Sequence, residues 1–513
     1  MTRSRLPWLL AGLVAGLSGL ATSAAVAAML SIRASPVIAV AELVIRHTPG
    51  QVAEQAIATL QFYDKPFLIG SILALLLAGF ALAGILGQRR PWLATAVFTV
   101  LAGVGAFAVL SAKGATPTRL LPVLVGYLTW QLVFAWLAAA LAAGPRRADD
   151  GSEDPARAGA GRRTFLVRLA AVGAGTVVAV VVGRWLGRER ERVEAARDLV
   201  RLDGVTMPKV PRGASVDIDG VAPWRTDVAD FYTIHTVIFP PAVDPSTWQL
   251  RIHGMVDREV VVTYQDLLDR QLTESWITLN CVSNPVGGDL VGNAWWSGVR
   301  VADLLAEAGV KPGADAVLQT SQDGWNCGTP LTALTDGRAA MLAVAMNGRA
   351  LPIEHGFPAR TIVPGLYGFV SACKWVVDME VTRFADFTAY WTDRGWAERG
   401  PVKMASRIDV PSSGAKVPSG TFRAGGAAWV QHTGIRAVEV QLDGGAWQQA
   451  ELATAPNDDT WVQWAATLTL APGDHELRVR AIDKRGEVQT GVRVDVVPDG
   501  ATGWHSVDFV AES

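Results

Sequence analysis

The first third of the chain is dominated by long runs of apolar residues. Five runs are long and apolar enough to cross a bilayer as helices, and they cover residues 6–32, 67–87, 92–112, 120–143 and 164–182. No ionisable residue lies in the middle of the first four runs, which argues against an ion or proton pathway through them. The pattern therefore predicts an all-α membrane domain of about five transmembrane helices over residues 1–187.

Arginines mark the ends of these runs that we expect to face the cytoplasm. They are Arg3, Arg5, Arg89, Arg90, Arg146, Arg147, Arg157, Arg162 and Arg163. Because positively charged ends of membrane helices stay inside, this pattern predicts a multi-pass protein of the cytoplasmic membrane with a cytoplasmic N-terminus. Everything after about residue 187 is then predicted to lie on the extracytoplasmic side.

The start of the fifth run, RRTFL from Arg162, resembles a twin-arginine export signal. That route carries folded proteins, as a protein loaded with a cofactor in the cytoplasm would need. The alternative is that the two arginines only orient the helix. Residues 149–161 before the signal are predicted to be a flexible polar linker. The charged residues 188–212 after the run are predicted to form a stalk.

Beyond residue 212 the apolar runs give way to short strands and helices. The pattern predicts a hairpin over 248–262, helices over 264–270 and 302–308, and strands over 277–281, 316–320, 341–346, 360–364 and 374–382. These elements together predict an α+β domain over residues 213–400.

From residue 401 onward, strands alternate with turns at short, regular spacing. The predicted strands cover 421–430, 437–450, 460–470, 475–483 and 492–497. Such spacing is typical of an antiparallel, all-β sandwich of the immunoglobulin type, which we predict over residues 401–513. Trp429, Trp447, Trp461 and Trp464 are expected to pack in its core and interfaces.

Composition excludes several classes of function. The 513 residues carry a formal net charge of −2, so nothing indicates a nucleic-acid partner. The three cysteines, Cys281, Cys327 and Cys373, have no zinc-site spacing, and whether Cys327 and Cys373 pair stays open. His47 is the only histidine before residue 235, so a haem held by paired histidines in the membrane domain is not expected.

Cys281 is the candidate centre of the chemistry. Ile277, Leu279 and Cys281 alternate with polar residues and then enter a loop of Ser, Asn, Pro and Gly. The pattern predicts a thiol at the end of a buried strand, facing a loop whose glycines let a ligand approach closely. Taken alone, such a cysteine is more often an inert core residue.

The residues around Cys281 resemble the molybdenum-ligand loop of the sulfite oxidase superfamily of molybdopterin oxidoreductases. The matching segments are TLNCVSN with WSGVRVADLL, and a second block, AVAMNGRALPIEHGFPARTIVPGLYGFVSACKW. The resemblance implies a molybdenum-molybdopterin cofactor with Cys281 as the protein's thiolate ligand, a soft donor suited to the metal. It implies that the following residues bind the cofactor: Tyr232, Thr233, Asn284, Thr320, His355, Arg360, Ser371 and Lys374. The sandwich resembles the dimerisation domain of this superfamily, so a homodimer is expected.

Three departures from the sulfite oxidase pattern bear on the substrate. Pro285 and Val286 stand where two arginines follow the asparagine of the loop, and Val344 stands where the family has an active-site tyrosine. The Arg-Asn-His of the family's N-terminal segment is also not reproduced at 233–235. A dianion such as sulfite needs a cationic pocket. The departures therefore predict another small-molecule substrate than simple sulfite.

The residues leave three interpretations open. The first is a membrane-anchored molybdopterin oxidoreductase that moves an oxygen atom or two electrons, with an electron-transfer partner that the sequence does not identify. The second is a cofactor-free extracytoplasmic binding or scaffolding module. The third is an enzyme with Cys281 as nucleophile, although no histidine with an Asn or Asp partner stands near it in the sequence.

Overall fold

The computed structural model describes the whole chain except residues 1–4, 31, 33–34, 50–51, 53–59, 61–62, 112–116, 143–154 and 187–188. Arg3, Arg146 and Arg147 of the predicted charge pattern lie outside the described residues. The chain divides into two compact units. One comprises Met1–Arg192 and Thr236–Phe239, and the other comprises Val193–His235 and Pro240–Ser513.

The first unit is helical. Its helices are α1 (Leu6–Met29), α2 (Pro36–His47), α3 (Asp64–Arg89), α4 (Pro91–Leu110), α5 (Leu121–Ala142) and α6 (Pro155–Leu186), and α7 (Glu189–Leu199) follows in the predicted stalk. Within the described residues, five helices are long and apolar enough to cross a membrane, as predicted. Two details differ from the prediction. The short helix α2 was not expected, and the linker predicted over 149–161 is helical from Pro155, because its Ala- and Arg-rich end continues into α6.

Small residues bring α1 close to its neighbours, α3, α5 and α6. A Cβ atom on Gly12 would lie 2.2 Å from the Phe80 carbonyl oxygen, and one on Gly19 would lie 2.1 Å from the Trp130 ring. Only glycine allows such close packing, which is common between membrane helices. Aromatic rings on the neighbouring helices fill the centre of the unit.

The second unit begins with two sheets and short helices. The strands are β1 (Gln249–Gly254), β2 (Val260–Thr263), β3 (Thr273–Asn280), β4 (Val291–Arg300), β5 (Ala316–Ser321), β6 (Asn326–Pro330), β7 (Met341–Met346), β8 (Arg349–Ala350), β9 (Arg360–Ile362) and β10 (Val376–Thr382). The helices are α8 (Tyr264–Leu268), α9 (Val301–Ala308) and α10 (Leu331–Thr335). One sheet has the order β2-β1-β10-β5-β6, and the other has the order β3-β4-β7-β8 with β9 also paired to β7. One apolar core includes residues of both sheets.

The C-terminal part is a sandwich of two sheets. Its strands are β11 (Ala405–Val410), β12 (Lys416–Pro418), β13 (Gly420–Trp429), β14 (Ile435–Leu442), β15 (Gln448–Gln449), β16 (Glu451–Leu452), β17 (Val462–Leu470), β18 (Gly473–Asp483) and β19 (His505–Glu512). The sheet orders are β11-β13-β17-β16 and β12-β19-β18-β14-β15, and a shared core lies between them.

The strand predicted over 492–497 was wrong. Val492 and Val494 are exposed, and this segment contributes only a single bridge, from Val494 to Thr502. The sheet is completed by β19 instead, where Val507, Phe509 and Ala511 alternate into the core. The valines follow a pattern typical of a strand. A strand, however, is stabilised by packing one of its faces against other residues, which Val492 and Val494 do not do.

Candidate functional site

One sheet carries the main parts of the candidate site. Cys281 directly follows β3, Trp296 lies on the neighbouring strand β4, and Arg360 begins β9. The Trp296 indole donates a hydrogen bond to the Ile277 carbonyl at 3.2 Å, and the Arg360 guanidinium lies over the Trp296 ring at 5.4 Å. The order of strands therefore brings together residues far apart in the sequence.

The loop after Cys281 is closed at its base. The Cys281 N–H donates to the Leu290 carbonyl at 2.9 Å, and the Asn284 N–H donates to the Cys281 carbonyl at 3.2 Å. The Asn284 side-chain oxygen accepts from the Leu290 N–H at 2.9 Å. Asn284, predicted to bind the cofactor, thus also braces the loop. Cys281 is partly exposed, whereas the other two cysteines are fully buried.

Asn280 holds the two ends of this loop together. Its side-chain NH₂ group donates to the carbonyls of Cys281 and Leu290, each at 3.2 Å. Gly288 packs against Asn284 so closely that a Cβ atom there would lie 2.4 Å from the Asn284 side-chain oxygen. The loop geometry therefore requires glycine at this position.

A second cluster gathers the basic residues of the block that contains HGFPAR. Arg360 and Lys374 form a β-bridge, and both are buried. The Arg360 Nη1 donates to the His355 carbonyl at 3.2 Å, and the Lys374 ammonium donates to the Glu354 carbonyl at 3.0 Å. Within the described part of the chain, the buried Nε of Arg360 has no hydrogen-bond partner. Three predicted cofactor residues, His355, Arg360 and Lys374, are thus brought together.

His355 is neutral in this surrounding. Burial, together with the nearby charges of Arg360 and Lys374, lowers its pKa to about 4. Its Nε2–H donates to the Val228 carbonyl at 3.3 Å, because a carbonyl can only accept. Two cations and a neutral imidazole suit an anionic group with several acceptor oxygens.

Tyr232 is close to both the Cys281 thiol and the Arg360 guanidinium, since both shift its pKa. Burial raises the pKa of its phenol, the nearby Cys281 raises it further, and Arg360 lowers it. Its ring stacks on Phe231 at 5.4 Å. Thr233, the next predicted residue, is exposed.

Two other predicted residues are held by the backbone. The Ser371 hydroxyl is fully buried and donates to the Tyr367 carbonyl at 2.9 Å. Thr320 is half-buried near the end of β5, where the Gln322 N–H, just past the strand, donates to the Trp375 carbonyl at 2.8 Å. The end of β5 therefore lies beside the segment that carries Lys374.

The remaining cysteines form a buried pair without a disulfide. Burial raises the pKa of the Cys373 thiol, and a hydrogen bond with Cys327 raises it further. The pairing left open by the sequence is therefore a contact between two thiols.

No sequence pattern pointed to the residues that the sandwich brings to the Cys281 loop. The Arg407 Nη1 donates to the Gly288 carbonyl at 3.0 Å, and Arg407 pairs with Asp409 at 2.6 Å. A Cβ atom on Gly287 would lie 2.2 Å from the His505 Nε2. These residues come from more than a hundred positions away, so no local motif could have pointed to them.

The central part of the chain is similar to known proteins. The family described as "Oxidoreductase molybdopterin binding domain" matches residues 237–391. The uncharacterised oxidoreductase YuiH of Bacillus subtilis is 32% identical over 180 residues, covering 35% of this chain and 87% of that protein. Sulfite oxidase of Gallus gallus is 28% identical over 298 residues, covering 48% of this chain and 64% of that protein. The chain thus spans slightly less than two thirds of the chicken enzyme.

A solved structure shows a similar fold. The sulfane dehydrogenase SoxCD from Paracoccus pantotrophus matches with a TM-score of 0.50 and 23% sequence identity. The match covers 57% of this chain and 85% of that chain.

Proposed function

Because this chain belongs to the sulfite oxidase superfamily of molybdopterin-dependent oxidoreductases, we propose that Cys281 is the thiolate ligand of its molybdenum. The chain is an oxidoreductase that uses the molybdenum cofactor. When bound, the cofactor supplies a metal that exchanges two electrons or an oxygen atom with a small-molecule substrate. The chain's own residues must bind, orient and enclose that group.

The observation that carries the proposal is a partly exposed thiol near a buried, incompletely compensated cation. Cys281 and Arg360 are both close enough to Tyr232 to shift its pKa, and the buried Nε of Arg360 has no partner among the described residues. A buried charge without a counter-ion is unfavourable, so this geometry fits an anionic ligand. The phosphate of a pterin cofactor is such a ligand, and a thiolate is the soft donor that its metal needs.

The substrate is a compound other than simple sulfite, such as a neutral sulfoxide. Pro285 is exposed and uncharged at the mouth of the loop. The groups that the sandwich adds there carry little net charge. Arg407 is paired with Asp409, and burial lowers the pKa of His505 to about 4, so its imidazole is neutral near pH 7. None of these groups offers the uncompensated positive charge that a dianion would favour.

The enzyme is anchored in the cytoplasmic membrane with its catalytic part outside. The five apolar helices of the first unit support the anchoring, and the arginines at their ends support the orientation. The sandwich, which we take to be of the immunoglobulin type, is the candidate surface for a homodimer. Electrons pass to or from an electron-transfer partner.

Metal and pterin content of full-length protein purified in detergent test this proposal. We expect stoichiometric molybdenum in the wild type and in the control Cys327→Ser, because Cys327 is buried and plays no part in the proposed site. Cys281→Ser should keep pterin but lose the ability to oxidise reduced viologen with a small neutral sulfoxide, since a serine oxygen is a harder donor than a thiolate. A wild type without molybdenum would overturn the proposal. Full activity in Cys281→Ser would overturn the assignment of the ligand.

A further inference from the structure

The C-terminal sandwich is bonded directly to the strand that leads to Cys281. At Thr278 the backbone N–H donates to the Asp459 carbonyl at 2.9 Å. The Thr278 carbonyl accepts from the Gln431 side chain at 3.0 Å, and its hydroxyl oxygen accepts from the Trp461 N–H at 2.8 Å. These bonds fix the position of β3 just before the loop.

Trp429 of the sandwich also determines how the Asn280 side chain is oriented. The Trp429 indole N–H donates to the Asn280 side-chain oxygen at 3.1 Å. An indole can only donate, so the amide atom facing it must be the oxygen. The NH₂ group of Asn280 therefore faces the carbonyls of Cys281 and Leu290, to which it donates. Both side chains are buried, with exposures of 2% for Trp429 and 3% for Asn280.

We propose that Trp429 is a positioning residue for the Cys281 thiol, acting through the side-chain amide of Asn280. If the amide flipped, its oxygen would face two carbonyl oxygens, and the loop would lose the bonds that hold its ends together. The indole N–H prevents this flip. The sandwich is thus part of the catalytic centre's scaffold, in addition to any role between subunits. This inference rests on the proposed role of Cys281 as the metal ligand.

The test compares two tryptophans at the same interface. Trp429→Phe removes the N–H that holds Asn280. Trp461→Phe removes an N–H that donates to the Trp224 carbonyl at 2.8 Å. Both side chains are 2% exposed and belong to the same apolar cluster. The control keeps the backbone hydrogen bond from Trp461 to Thr278. Only Trp429→Phe therefore loses a hydrogen bond to Asn280.

The readout is the rate at which iodoacetamide alkylates Cys281 in the full-length, cofactor-free protein, followed by mass spectrometry. Cys281 is the only partly exposed cysteine of the three, so the reaction under native conditions reports its loop. We expect similar losses in melting temperature for both variants. Only Trp429→Phe should alkylate several-fold faster than the wild type. Equal rates in Trp429→Phe and the wild type, or an equal rise in both variants, would overturn the inference.

A second variant keeps the test decisive if Trp429→Phe does not fold. Asn280→Leu removes the amide itself and should raise the alkylation rate by a similar factor. Where both variants fold, the double variant should alkylate no faster than either single variant, because each substitution breaks the same chain of hydrogen bonds. Independent effects would contradict the role of Asn280 as the link.

The cofactor-loaded enzyme gives an independent check. The Mo(V) electron paramagnetic resonance spectrum should change in Trp429→Phe and stay unchanged in Trp461→Phe, because the spectrum depends on the orientation of the thiolate. An unchanged spectrum in Trp429→Phe would contradict the inference. Wild-type protein that contains no molybdenum would refute the proposed function, whereas the alkylation comparison would still decide the role of Trp429.

Discussion

Arg360 offers the sharpest test of the site, because its charge should stabilise the loaded protein and destabilise the empty one. The side chain is 4% exposed. Its contacts include one carbonyl hydrogen bond and the face of Trp296, and its Nε has no partner among the described residues. Burial lowers the pKa of Arg360 from 12.5 to about 10.

The pKa shift sets the size of the effect. A fall of about 2.5 pKa units corresponds to about 3 kcal/mol of unfavourable free energy for the charged form. Below pH 10 the side chain is protonated in both the folded and the unfolded protein, so the full penalty acts at neutral pH. In the cofactor-free protein, the hydrogen bond to the His355 carbonyl and the contact with the Trp296 ring offset part of this penalty.

Arg360→Met removes the charge and keeps most of the apolar stem. It also removes a hydrogen bond worth about 1 kcal/mol and a cation–π contact worth about 1 kcal/mol. We therefore expect the cofactor-free variant to be more stable than the wild type by about 1 kcal/mol in its free energy of unfolding. Cofactor affinity should fall by about 2 to 5 kcal/mol, because the anion loses a buried charged partner.

The assay is urea unfolding of full-length, cofactor-free protein in detergent, followed by tryptophan fluorescence, with pterin content measured on separately loaded protein. Arg407→Met is the matched control, since Arg407 is also buried, at 7% exposure, but is paired with Asp409. Removing one partner of such a pair should destabilise the protein by about 3 kcal/mol or more. If Arg360→Met destabilises the empty protein as Arg407→Met does, or leaves the pterin content unchanged, Arg360 is a structural residue.

Two further predictions concern pH and export. In the folded protein His355 has a pKa of about 4, below its ordinary value of 6.5. Between these pH values the unfolded protein binds more protons, so the free energy of unfolding should fall by about 3 kcal/mol as the pH drops from 6.5 to 4. His355→Gln should remove this part of the pH dependence of the melting temperature in cofactor-free protein, and an unchanged profile would contradict the prediction. Changing both Arg162 and Arg163 to Lys keeps the positive charge but removes the guanidinium groups, so a twin-arginine signal should fail. The catalytic part should then become inaccessible to protease in intact cells lacking an outer barrier. A domain that stays accessible and active would refute the export signal.

The local features of the site were predictable because each depends on neighbours in the sequence. The strand before Cys281 was predicted over 277–281 and is found as β3, ending one residue earlier. The helix predicted over 302–308 is found as α9, and Gly309 ends it in the left-handed conformation with a φ of 72°. Alternation and a terminal glycine are signals that a single segment carries by itself.

The contacts between distant segments were not predictable in the same way. Trp429 was expected to pack at an interface, and it does. Its hydrogen bond to Asn280 joins residues 149 positions apart. An apolar pattern predicts that a face is buried, but it does not predict which residues the face contacts. The same limit explains why 492–497 was predicted as a strand while β19 was not.

The two buried arginines of the second unit differ in whether the fold supplies partners for their charge. A charge with partners in the fold is structural, whereas a charge without them is suited to binding an anion. Arg407 has its own carboxylate and a loop carbonyl, so its charge is used within the fold. Arg360 lacks a partner for its Nε among the described residues. Burial, together with the charges of Arg360 and Lys374, lowers the pKa of His355 and keeps it neutral. A fold that buries a cation in this way is unfavourable unless an anion is normally present. We propose that the anion is the cofactor itself, and that the substrate meets the metal at the loop of Cys281, where the charge of Arg407 is paired with that of Asp409.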